Sequence, residues 1–293
     1  MVTKDQILGC IHGGSLGDVI GSHFEGKARP VSFFVPAHLR VSDDTQLTLA
    51  TCESITENRG VNPEWIASSF RRWFRSRRLT GLGASTLKAL AELDAGGHWA
   101  TVGASGERSA GNGAAMRVAP LAFVLDPDCP DDRRTIRDVC RITHRNDEAY
   151  AGGLAVIRAI RWAVQGLQVD RALIDHLVQT LPDCSVRDRF AAIKNQRLTA
   201  SAYRETCATI GYVADSVPFA VLLSIDCIGH TFLDSMRIAV ESGGDTDTIC
   251  SMVGQIRGAC FGVSDIPSIA ESIGEIALIR DVAAAFARTV TAM

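Results

Sequence analysis

The sequence has no CxxC pair, although it carries nine cysteines, at positions 10, 52, 129, 140, 184, 207, 227, 250 and 260. Their odd number and wide spacing argue against a disulfide framework and against a thiolate zinc site. They read instead as small buried hydrophobes. The seven histidines lack HxxxH or HxxEH spacing, so any metal must rest on oxygen ligands. Net charge is nearly absent: 30 Lys and Arg against 33 Asp and Glu leave -3, which signals neither a nucleic-acid face nor an acidic tail. No uncharged stretch exceeds 12 residues, and the one at 95–106 is Gly-rich, whereas a membrane-spanning helix needs ~20 apolar residues. The amino-terminal segment carries Asp5 and an apolar run broken by His12 and several glycines, unlike a secretion signal. These absences predict a cytoplasmic protein, expected to be a monomer, with no membrane or nucleic-acid partner.

What is present is a chain of 293 residues, 46% hydrophobic, which is enough to bury a large core. Periodic stretches follow the 3, 4, 7 spacing of helices, and strict apolar–polar alternation is hard to find. An all-α fold is expected, as one compact orthogonal helical bundle spanning 1–293, since no repeat, low-complexity tract or linker stands out. Thr3 with Gln6 forms a capping box, and Asn62-Pro63-Glu64 opens a helix carrying Trp65, Ile66, Phe70 and Trp73. Further helices are predicted at 86–93, 113–124, 132–142, 147–165, 170–180, 186–194, 199–210, 217–227, 231–241, 246–262, 266–273 and 279–291.

Gly9, Gly13, Gly17 and Gly21 recur every four residues along one stripe of the first helix, and Gly254, Gly258 and Gly262 repeat the device near the other end. Each glycine costs a helix roughly 1 kcal/mol relative to alanine. Two such stripes suit two backbones in close approach at the centre of the bundle, which would bring the chain's ends together. The alternative is that small residues relieve crowding at separate contacts.

Two acidic clusters carry the chemistry. Ser42-Asp43-Asp44-Thr45 and Asp245-Thr246-Asp247-Thr248 each crowd two carboxylates and hydroxyls at a helix start. Capping alone needs one such side chain, and a dipole contribution of about 0.3–1 kcal/mol per charge is the bland account. A pair of such clusters supplies four carboxylates, enough for two hard cations, Mg2+ or Mn2+.

Five blocks then resemble, in order, the ADP-ribosylglycohydrolase family: GCIHGGSLGDVIGSHFEG at 9–26, SDDTQLTLA at 42–50, SAGNGAAMRVAP at 109–120, ITHRNDEAYAG at 142–152 and GGDTDTICSMVGQIRGACFG at 243–262. The resemblance implies an all-helical hydrolase with a binuclear Mg2+ or Mn2+ site that removes ADP-ribose from an acceptor. By the same match, Ser42, Asp43, Asp44, Asp245, Asp247 and Thr248 would hold the ions. Glu25, Asp44 and Asp247 would be catalytic, with Glu25 managing a proton. Gly83, Ser109, Gly111, Asn112, Gly113 and His144 would meet the ADP-ribose, the Gly-Asn-Gly loop and the helix after it cradling the diphosphate or the ribose.

Asp18 is expected to be a buried supporting acid. Met116 and Arg117 are expected to anchor the helix beneath the loop, Arg117 alternatively balancing the acidic charge. Ser42 stands where the family has Thr, and Gly81-Leu82-Gly83 lacks an aspartate common there, which weakens any contact at that point. The implied substrate is ADP-ribosylated protein, with arginine favoured as the acceptor. Serine or acetyl linkages, and a crystallin-like binding protein without turnover, are the alternatives.

Overall fold

The computed structural model describes residues 2–27, 29, 31–206 and 211–293. Among these residues the chain is all-α: fourteen α-helices, five short 3-10 helices and two two-residue strands. The helices are α1 (Lys4–Ser22), α2 (Asp43–Asn58), α3 (Pro63–Arg75), α4 (Ala84–Asp94), α5 (Trp99–Val102), α6 (Pro130–Arg141) and α7 (Asp147–Val164). They continue with α8 (Arg171–Thr180), α9 (Ser185–Gln196), α10 (Ala200–Thr206), α11 (Val213–Asp226), α12 (Phe232–Ser242), α13 (Thr246–Phe261) and α14 (Ile276–Val290). No helix among the described residues is long and apolar enough to cross a membrane.

Helices α1 and α13 are buried on nearly every side and run antiparallel at the centre. Their glycine stripes face each other. A β-carbon on Gly9 would strike the Gly258 carbonyl oxygen, one on Gly13 the Gly254 oxygen, one on Gly17 the Cys250 oxygen and one on Gly21 the Thr246 oxygen. Of the two readings of the stripes, close backbone approach is therefore the one realised. Thr246 Oγ1 pins the end of the pair by donating to Gly21 O at 2.8 Å. Peripheral helices are amphipathic by contrast: α3 buries Ile66, Ala67, Ser69, Phe70 and Trp73 and leaves its arginines outside. The capping box at Thr3 and the Asn62 cap both form.

Three of the departures from the expected helices involve proline. Residues 113–124 form two 3-10 turns, Ala115–Arg117 and Ala119–Phe123. Pro120 has no amide to give the Met116 carbonyl and its ring crowds that oxygen; Gln255 Nε2 donates to it instead, at 2.7 Å. The expected helix at 266–273 is the 3-10 turn Ser268–Ser272, because Pro267 holds Ile266 extended. Helix α11 starts before Pro218 and runs through it, and Tyr203 OH donates to the Ala214 carbonyl that the proline leaves free. The expected helix at 199–210 is α10 as far as Thr206; residues 207–210 lie outside those described.

Candidate functional site

The glycine pair brings the amino terminus of α13 beside the carboxyl end of α1 and the turn that follows it. Gly26 N donates to Gly244 O at 3.1 Å, which holds the Glu25 turn against the Gly243-Gly244 turn. Both of those glycines have positive φ, +69° and +85°, a conformation side chains resist. One oxygen from each of Glu25, Asp245 and Asp247 lies within 4.8 Å of the others.

The second acidic cluster is fixed to the first helix through Asp18. Its buried carboxylate accepts from Ser42 Oγ at 2.7 Å, from Ser42 N at 3.0 Å and from Thr45 N at 3.2 Å. It thus caps α2 from outside and aims Asp43 and Asp44 inward, as a supporting acid. The two clusters meet directly where Thr248 Oγ1 donates to Asp44 Oδ2 at 3.2 Å. Asp43 and Asp44 line the same cavity of about 440 Å³ as Glu25, Asp245, Asp247 and Thr248.

The electrostatics of this cavity are unbalanced. Burial first, and then the neighbouring carboxylates, push Asp43 up to about 8 and Asp44 well above the carboxylate range. Asp247 is pushed up to about 10, by burial and then by its hydrogen bond and charge contact with Asp245. Glu25 is also raised, by partial burial and then by Asp245 and Asp18. No Lys or Arg among the described residues forms an ion pair with any of them, and Asp44 Oδ1 is buried without a hydrogen-bond partner. Buried carboxylates in mutual repulsion, one with an orphaned oxygen, fit an oxygen-only site for hard cations. Arg117 feels the charge of Asp43 but forms no ion pair with the acids. It is fully buried, lowered by burial to about 10, stacked 4.7 Å over the Phe70 ring, and its Nη2 donates to Thr143 Oγ1 at 2.7 Å.

A further wall of the cavity comes from the Gly111-Asn112-Gly113 loop. Its backbone pairs with residues 211–213, Asn112 N donating to Gly211 O at 3.0 Å and Val213 N to Ala110 O at 3.0 Å. Asn112 Nδ2 donates to Asp245 Oδ2 at 2.6 Å and so ties the loop to the acids. Both glycines make room for His144: a β-carbon at Gly113 would strike Cε1 of its ring, and one at Gly111 would crowd Nε2. His144 is carried in by a short parallel pairing of 104–105 with 144–145.

Ser109 is not brought to the cavity; its Oγ donates to Gly106 O at 2.6 Å inside a 3-10 turn. Ser42 does not line the cavity either, because its hydroxyl faces Asp18 and the Asp44 amide. The helix-end amides expected after the Gly-Asn-Gly loop are also elsewhere, since that segment closes into 3-10 turns. Gly83 caps α4 without a side-chain bond, and Ala84, Ser85 and Thr86 line the cavity, so the open amides belong to α4. Sequence reasoning missed this; the only signal was an uncapped helix start after Gly81-Leu82-Gly83.

A profile of the ADP-ribosylglycohydrolase family matches residues 1–292. The chain belongs to that family. Its curated relatives include the ADP-ribosyl-[dinitrogen reductase] glycohydrolase of Rhodospirillum rubrum, 26% identical over 280 residues, covering 90% of this chain and 88% of that protein. The ADP-ribosylhydrolase ARH3 of Homo sapiens is 26% identical over 317 residues, covering 89% and 87%. Among solved structures, one titled as an ADP-ribosylglycohydrolase-related protein complex superposes with a TM-score of 0.78 at 26% identity, covering 98% of each chain. Family membership makes the protein a glycohydrolase, and the ADP-ribosylglycohydrolase fold agrees with the all-α bundle found here.

Proposed function

We propose that this ADP-ribosylglycohydrolase cleaves the bond between ADP-ribose and the guanidinium nitrogen of an arginine on a protein, using two divalent cations, Mg2+ or Mn2+. The observation that carries the reading is the cavity where uncompensated carboxylates from α2 and α13 meet the Gly111-Asn112-Gly113 loop. Asp43, Asp44, Asp245 and Asp247 would hold the cations, with the Thr248 hydroxyl beside them and Ser42 acting only through Asp18. When bound, such cations supply the positive charge the site lacks, together with Lewis acidity toward oxygen.

The chain's own groups do the rest. Asp18 holds the α2 acids in position, and Asn112 holds the loop to Asp245. Cleavage at the anomeric carbon builds oxocarbenium-like charge on the ribose and leaves the departing nitrogen needing a proton. Glu25, exposed at the mouth and raised by partial burial and then by Asp245 and Asp18, suits a proton carrier between water and that nitrogen. The same carboxylate, beside Asp245, suits a cationic guanidinium acceptor. The Rhodospirillum rubrum relative, named for dinitrogen reductase, is consistent with a protein substrate.

Release of free ADP-ribose, followed by mass spectrometry on arginine-, serine- and acetyl-linked substrates, tests the reading. Release from the arginine linkage is expected with Mg2+ or Mn2+, falling at least about a hundredfold on chelation or in Asp247→Ala. Undiminished release in either case defeats the cation requirement. Faster release from serine or acetyl linkages reassigns the acceptor, and tight ADP-ribose binding without any release makes the chain a binding protein.

A further inference from the structure

We infer that Arg117 and Thr143 form a relay that fixes His144 as its Nε2–H tautomer, so that this histidine serves the cavity as a neutral donor and not as a base. Arg117 Nη2 lies 2.7 Å from Thr143 Oγ1, and a guanidinium can only donate, so the threonine oxygen accepts. That oxygen also lies 2.8 Å from His144 Nδ1. Thr143 is fully buried, and among the described residues its hydroxyl has no other hydrogen-bond partner. Were Nδ1 to donate as well, the hydroxyl proton would be buried with no acceptor, which native interiors avoid. The proton therefore points from Thr143 to Nδ1, and the ring's own proton sits on Nε2.

The rest of the geometry faces that proton outward. Gly111 and Gly113 flank the ring edge at Nε2 and Cε1, and any side chain there would close it off. His144 lines the cavity. Burial, and then Arg117, hold the imidazole down to about 3, so it stays neutral through the physiological range. Arg117 and Thr143 are positioning residues, since neither lines the cavity. The proposal rests on the ADP-ribose reading only for what the Nε2–H meets, an oxygen of the bound nucleotide sugar.

NMR of the ligand-free protein carrying 15N-labelled histidine reads the tautomer directly. The expected wild-type spectrum has an unprotonated Nδ1 and a protonated Nε2 for His144, unchanged between about pH 5 and 8. Thr143→Val keeps the shape and removes the donor; the single tautomer should relax to the mixture of a free neutral imidazole, and ADP-ribose, measured by calorimetry, should bind roughly five- to tenfold more weakly. Thr143→Ser and Arg117→Lys, which preserve the donors, should keep the wild-type spectrum. If Arg117→Lys fails to fold, the two Thr143 variants decide. A wild-type ring protonated on Nδ1, or an unchanged tautomer in Thr143→Val, overturns the relay. Since the spectrum needs no ligand, a locked ring in a protein that does not bind ADP-ribose supports the relay and counts against the substrate.

Discussion

The middle of the α1–α13 pair and the end of it follow opposite rules. Along the middle, four glycine contacts let two backbones touch, and no charge intervenes. At the end, carboxylates crowd a cavity where burial, and then their mutual repulsion, raise their affinity for protons. The first region is stable because nothing is missing from it. The second is chemically useful because compensating charge is missing, and the rigidity of the first keeps the acids from relaxing apart.

Putting bulk into the glycine seam should break the comparison at its strong side. Gly258→Val would drive a branched side chain into the Gly9 backbone and should cost about 3 kcal/mol or more in urea-induced unfolding, if it folds at all. At the other end the sign should reverse. Asp247→Asn removes one of the repelling acids, so the cation-free protein should gain roughly 1–3 kcal/mol at pH 7 while turnover is lost. Equal destabilisation by both variants would erase the distinction between the two regions.

The pH dependence sharpens it further. Asp43 and Asp247 are held at about 8 and about 10 in the folded state, above their unfolded carboxylate values, so the folded chain binds the extra protons. Their contribution is present below the unfolded range and is lost as pH rises through the folded values. The melting temperature of cation-free protein should therefore fall by a few degrees between about pH 6 and 9, and added Mg2+ or Mn2+ should flatten that slope. The smallest expected effect is that of Ser109→Ala: about 1 kcal/mol of stability from the lost bond to Gly106, with turnover unchanged, because the hydroxyl faces away from the cavity.

How much of this was legible depended on whether the signal was local. The glycine spacing and the paired acids could be read directly, because a stripe and a helix start are properties of a few consecutive residues. The two 3-10 turns after the Gly-Asn-Gly loop could not, because periodicity at 113–124 looks helical and the Met116 carbonyl freed by Pro120 is satisfied by Gln255, 139 residues on in the sequence. Ser109, expected at the ADP-ribose, lies off the cavity for a similar reason: Gly111, Asn112 and Gly113 of its motif line the cavity, and the turn at 107–109 directs its hydroxyl to Gly106. Asp18 capping α2, and Arg117 reaching Thr143, are long-range contacts with no local signature.

The partners in the glycine seam, Gly9 and Gly258, are separated by nearly the whole chain. During synthesis at ~5–20 residues per second, α1 emerges and waits on the order of tens of seconds before α13 leaves the ribosome. Until then the bare stripe of α1 has no mate, and the residues later gathered around Glu25 exist only as separate fragments. Neither the seam nor the acid cluster can therefore assemble before α13 has left the ribosome.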